Sequence, residues 1–207
     1  MMKRISLAAI ALFSSSLAFA ESAADKLSGL ITGLNNFSAK YEQTVQGSRN
    51  AKGEKSRGTF QLQRPNKFRW ETESPYRQVL VSTGKEMWAY EPDIDSATVQ
   101  DLEQGLGATP ALLLSSTPQQ LIDSFSIEET GVGMFKLLPK ESTGNFEEIQ
   151  LVFENKALKQ LLLADTLGNQ TLVVFSSVKT NQTLPASVFE FVPGKEVDVI
   201  DNRKKQP

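Results

Sequence analysis

Arg64 is the residue whose type and position could do binding chemistry, because it stands in line with grease. In residues 58–64, GTFQLQR, a period-two reading puts Phe60, Leu62 and Arg64 on one face of a strand and Thr59, Gln61 and Gln63 on the other. A guanidinium on an apolar face keeps its full desolvation cost unless its donors find acceptors. Two readings follow. The arginine snorkels to water at the strand end, the commoner fate, or it is a reversible latch whose charged fork grips backbone carbonyls of a segment covering the apolar face. Spacing alone leaves both open and favours the first.

Covalent chemistry is poorly supplied. The chain has no histidine and no cysteine, which removes Ser-His-Asp and Cys-His constellations and any zinc site of ordinary ligand type. Gly131-Val132-Gly133 lies between strand signals with no helix after it, so it is not a phosphate loop. Glu91, Asp93 and Asp95 could form a carboxylate pair or a weak calcium site, but a solvated acidic turn after Pro92 is the simpler reading. An enzyme is not expected, and neither is a metal or cofactor. With 22 basic against 24 acidic residues, a nucleic-acid partner is not expected either.

The elements that must position Arg64 are mostly strands. After Pro65-Asn66 the alternation restarts, with Phe68, Trp70 and Thr72 opposed to Lys67, Arg69 and Glu71, so residues 58–72 read as a hairpin with one apolar face. Upstream, Leu27, Leu30, Ile31 and Leu34 recur at helical spacing between a Ser22 cap and an Asn35-Asn36 stop. Residues 37–45 alternate as a strand, and the polar stretch 47–57 reads as an exposed hairpin loop.

Downstream, strands at 77–82 and 86–90 flank the turn Thr83-Gly84-Lys85, and 94–102 is a weaker strand. Trp88 and Tyr90 share a face, as Phe68 and Trp70 do. Thr109-Pro110 and Thr117-Pro118 each place a capping hydroxyl before a proline and announce two short helices. The first, 111–115, holds Leu112, Leu113 and Leu114; the second presents Leu121, Ile122 and Phe125. Strands return at 134–138, 147–153, 157–165 and 171–179, with Ile149, Leu151 and Phe153 on one face, and 195–201 offers a last strand. This is one antiparallel sheet with three short helices to cover it, which predicts either a packed core or an apolar pocket for a greasy ligand.

Residues 1–20 have the form of a signal peptide: Lys3 and Arg4, an apolar run over 5–17, and Ala18-Phe19-Ala20 before Glu21. A single exported domain over 21–207 is expected, with no cysteine at the cleavage point to be lipidated.

The segments RPNKFRWE at 64–71, P-x-x-Q-V-L-V-S-x-G-K at 75–85, M-W-A-Y-E-P-D at 87–93 and TPALLL at 109–114 resemble the LolA family of periplasmic outer-membrane lipoprotein carriers. The resemblance implies a mainly β fold, an unclosed antiparallel half-barrel covered by a lid of three short helices, with an apolar cavity between. It implies that Arg64 latches the lid through backbone carbonyls at Leu114 and Ser115, and that Phe68 acts at the mouth in handover to a receptor. Phe60, Leu62, Trp70, Trp88, Tyr90, Leu112, Leu113, Leu121, Ile149 and Leu151 are then the expected cavity residues. The implied partners are acylated lipoproteins, the inner-membrane LolCDE ABC transporter and the outer-membrane receptor LolB, served by a monomer in the periplasm. The alternative is a small integral outer-membrane β-barrel, which short interrupted apolar faces and mid-chain helix signals disfavour.

Overall fold

The computed structural model describes residues 21–47, 53–102, 109–141 and 146–204, so the expected leader lies outside the described residues. Twelve strands form one sheet. In chain order they are β1 (Asn36–Gln46), β2 (Glu54–Gln63), β3 (Lys67–Ser74), β4 (Gln78–Thr83), β5 (Glu86–Glu91), β6 (Ser96–Asp101), β7 (Phe125–Gly131), β8 (Met134–Pro139), β9 (Phe146–Glu154), β10 (Ala157–Asp165), β11 (Gln170–Thr180) and β12 (Asp198–Asp201). Three helices accompany them: α1 (Ala23–Thr32), α2 (Pro110–Ser115) and α3 (Pro118–Ser124).

The spatial order is β12-β6-β5-β4-β3-β2-β1-β11-β10-β9-β8-β7. Every pairing is antiparallel except that of β12, which runs parallel to β6. Among the described residues β7 and β12 are free edges. An open edge has no place in hydrocarbon, where every backbone donor needs a partner, so the integral barrel is set aside.

Of the region 47–57, expected as loop, residues 54–57 are strand: β1 runs to Gln46 and β2 begins at Glu54, with 48–52 outside the described residues. Pairing explains the difference. Val45 lies opposite Glu54 and Thr44 opposite Lys55, so two polar strand ends zip together although neither has an apolar face to announce it. The last strand is shorter than expected, Asp198–Asp201 in place of 195–201.

Strand register decides what lies inside. Phe37, Leu62, Phe68 and Ser82 line up across β1 to β4, as do Ala39, Phe60, Trp70 and Leu80, and the apolar members of both rows join the main core. From the far half of the sheet come Phe135, Leu137, Ile149, Leu151, Leu161, Leu163, Val173 and Phe175. Phe60 and Trp70 stack with centroids 4.8 Å apart, and Phe37 meets Phe175 edge-on at 5.5 Å. The three helices close this face with Leu27, Ile31, Leu112, Leu113, Leu114 and Leu121.

Trp88 and Tyr90 are not in that core. They face the opposite side of the sheet, in a second cluster with Val79, Val81, Ala97, Val99, Phe191 and Val197. Trp88 pairs with Val81 and Val99, Tyr90 with Val79 and Ala97, and Met87 takes the inward position instead. A period-two strand places its aromatics together but does not say on which face; a shift of one residue inverts them all. The chain beyond Pro185 covers this outer cluster, Phe191 packing at a tilt on Trp88 at 5.2 Å and on Tyr90 at 5.1 Å, before forming β12. Phe191→Ala is expected to lower unfolding free energy by about 2 kcal/mol, since the ring is half-buried. Denaturant titration measures this, and ligand binding on the inner face should be unchanged.

Candidate functional site

The site begins with two helices too short to stand alone. Thr109 caps α2 by accepting from Leu112 N at 3.2 Å, with Pro110 at the first helical position. Thr117 and Gln120 form a reciprocal capping box on α3, followed by Pro118. At the other end of α2 the final carbonyls lack intrahelical donors and carry the negative end of the helix dipole. Ser115 and Ser116 are buried there, and both hydroxyls donate back to Leu112 O, at 3.1 and 2.9 Å. Their small side chains are thus satisfied locally and let the β2–β3 turn approach.

Arg64, the residue after β2, fills that gap. Its Nη1 donates to Leu114 O in a short contact and to Ser116 O at 3.3 Å, while Nε reaches Ile31 O at the end of α1 at 3.4 Å. Its backbone N–H donates to Asn35 O at 2.9 Å. One half-buried side chain therefore ties the C-terminal ends of two lid helices to the sheet. Ser115 differs from expectation: its carbonyl is held by the backbone N–H of Asn66 at 3.0 Å, and Ser116 is the second carbonyl that Arg64 grips. Carbonyl direction at a helix end turns from residue to residue, so neighbouring oxygens reach different donors.

No carboxylate pairs with Arg64 among the described residues. Burial lowers its pKa to about 10. A base whose folded pKa lies below its ordinary value bears a cost for its buried charge, and that cost is relieved only as pH rises through about 10. Below that the guanidinium stays charged, and the chain has no histidine. Lid opening is therefore expected to be flat between about pH 6 and pH 8. Ligand-uptake rates across that range would check it.

Beside Arg64 the interior is closely packed. The space beside Arg64, lined by Ile31, Leu34, Leu113, Leu114, Leu121, Leu151, Phe153 and Leu158, amounts to about 10 Å³, roughly room for one water. Among the described residues, the space beside Arg64 is thus nearly filled by leucines of α2 and α3, where the resemblance leads one to expect a standing apolar cavity. Phe60, Leu62, Trp70, Leu112, Leu113, Leu121, Ile149 and Leu151 do gather in this core. Phe68 is 0% exposed beneath α2, not at an open mouth, so any partner can touch it only after the lid lifts.

Ile31, Leu34, Phe153 and Leu158 also line this space, beyond the residues expected from the sequence, although their helical or alternating spacing is visible there. Ser116 and Asn66 also lie outside those expectations, since their parts are played by backbone atoms and leave no side-chain signature. Leu113→Ala is expected to cost about 2–4 kcal/mol by leaving a void under the lid, read as a lower midpoint in thermal or denaturant unfolding.

An unclosed antiparallel sheet whose apolar face is covered by helices, two of them hydrogen-bonded at their C-terminal ends by one arginine, defines a helix-covered half-barrel. The chain belongs to the outer membrane lipoprotein carrier protein LolA family, whose profile matches residues 32–192. It is 37% identical over 185 residues to an outer-membrane lipoprotein carrier protein of Legionella pneumophila, covering 88% of this chain and 91% of the relative. With the carrier protein of Hahella chejuensis it shares 35% identity over 205 residues, covering 96% of this chain and 98% of the relative. A LolA superfamily protein from Nitrosomonas europaea has the same fold, with TM-score 0.53 at 12% identity over 82% of this chain and 96% of that one.

Proposed function

We propose that this protein is a periplasmic carrier that takes the acyl chains of lipoproteins beneath its lid. It receives them from the LolCDE complex of the inner membrane and delivers them to the receptor LolB at the outer membrane. It works as a monomer, by binding and release, with no bond made or broken. The observation that carries this reading is the buried lid leucines, which Arg64 holds in place of a ligand. Transferring a methylene out of water is worth ~0.8 kcal/mol, so an acyl chain of ~15 methylenes carries roughly 12 kcal/mol and does not cross an aqueous compartment unaided.

Such a carrier must bind and also let go. Leu112, Leu113, Leu114 and Leu121 bury the inner face when the protein is empty, so the acyl chain displaces apolar side chains and only part of its burial energy appears as affinity. Family membership supports the lipoprotein as cargo, and the interior supports its acyl end as the part enclosed. Mass spectrometry of protein purified from the periplasm tests this: a co-purifying triacylated lipoprotein is expected. Protein that is free of acylated cargo even when delivery onward is blocked would refute it.

A further inference from the structure

Asn66 sits at the centre of the β2–β3 turn with φ 62°, a left-handed conformation that asparagine and glycine tolerate. Three of its four polar groups are treated very differently. The backbone N–H holds Ser115 O at 3.0 Å, at the end of α2. The backbone carbonyl accepts the hydroxyl of Ser82 at 2.6 Å, and that oxygen in turn accepts Gly84 N at 3.2 Å, so a fully buried serine braces the turn from β4. The side-chain Oδ1 is enclosed and has no donor.

A buried acceptor without a donor costs the state that encloses it, because in any open form water would satisfy it. Ser115 O accepts from the backbone N–H of this residue, so α2 is docked on the turn that carries the stranded oxygen, and lifting α2 releases that turn. We propose that Asn66 is a positioning residue for the lid, acting as a counterweight to Arg64: its main chain docks α2, while its unsatisfied carboxamide oxygen weakens the closed state enough for the lid to open. This rests on the carrier reading above. The closed form is then held by a strong grip and loosened by a built-in defect two residues along the chain, which keeps the two states close in energy.

Asn66→Gly keeps the left-handed turn and the N–H but removes the stranded oxygen. The closed, empty form should gain, and affinity for an acyl ligand should fall about five- to tenfold, since apparent affinity scales with the open fraction. Asn66→Asp places a charge where no donor waits and should raise affinity. Dansyl-undecanoic acid, titrated into the exported chain and its variants with thermal midpoints measured alongside, provides the test. Weaker binding for Asn66→Gly with an undiminished midpoint, and tighter binding for Asn66→Asp, is the expected result. Unchanged affinity in both variants, with only the midpoint moving, would make Asn66 a plain turn residue and overturn the inference while leaving the carrier reading intact. Failure of the unaltered protein to bind the probe would overturn both.

Discussion

Arg64→Leu should yield a carrier that loads and does not deliver. The substitution removes contacts to Leu114 O, Ser116 O and Ile31 O, two of them at 3.3 Å or more and one short. Hydrogen bonds from a charged donor contribute about 1.5–3 kcal/mol each to the state that makes them. Their loss falls on the closed, empty form alone, because a raised lid makes none of them. The loaded form loses nothing and gains a leucine beside the ligand. Apparent affinity for an acyl ligand is therefore expected to rise by at least tenfold, and transfer to purified LolB should fall below a tenth of the unaltered rate. A two-stage assay, loading followed by transfer, separates the effects. Loss of loading would point instead to a role for Arg64 in cargo contact.

Gly58→Ala should be among the most damaging single changes in the molecule. A Cβ at Gly58 would stand 1.8 Å from the carbonyl oxygen of Glu71 and 2.8 Å from its carbon. Those are backbone atoms of β3 and cannot swing aside. The position also marks the irregularity between Arg57 and Gly58 in the β2–β3 ladder, and such bulges bend the strand that carries them. Here the bend lies in the strand that leads to Phe60, Leu62 and Arg64, so the same close approach that excludes a methyl group shapes the inner face. The expected loss is about 4 kcal/mol, equivalent to a fall of roughly 8–16 °C in thermal midpoint for a chain of this size. A midpoint within about 2 °C of the unaltered protein would show that β3 yields there.

What the sequence made legible was local. The α2 and α3 caps could be read from Thr109-Pro110 and Thr117-Pro118-Gln119-Gln120 because a capping box closes within four residues. The Phe60-Leu62 and Phe68-Trp70 faces could be read because period two is a property of each strand alone. Trp88 and Tyr90 were misplaced because which face turns inward is set by pairing with β4 and β6, and their own alternation is equally good either way up. The parallel docking of β12 on β6 depends on contacts a hundred residues apart and has no local mark. For Arg64 the residues alone could not choose between solvent and a latch. Its acceptors are backbone carbonyls, which any sequence supplies, and only the placement of α1 and α2 selects them.

The close packing beside Arg64 bears on how an acyl ligand enters. Lid leucines that occupy the site when it is empty make the protein a stable, compact fold between journeys. On the proposed reading they also make opening a condition for binding beside Arg64, since the space there, about 10 Å³, admits no acyl chain. Lid movement is therefore the central physical claim. The chain has no cysteine, so a pair can be introduced cleanly at Gln119 on α3 and Lys85 in the β4–β5 turn, both exposed, and spin-labelled. Pulsed electron–electron double resonance should give one short distance for the empty protein and a longer one once an acyl ligand is bound. Identical distance distributions with and without bound ligand would contradict the lid mechanism.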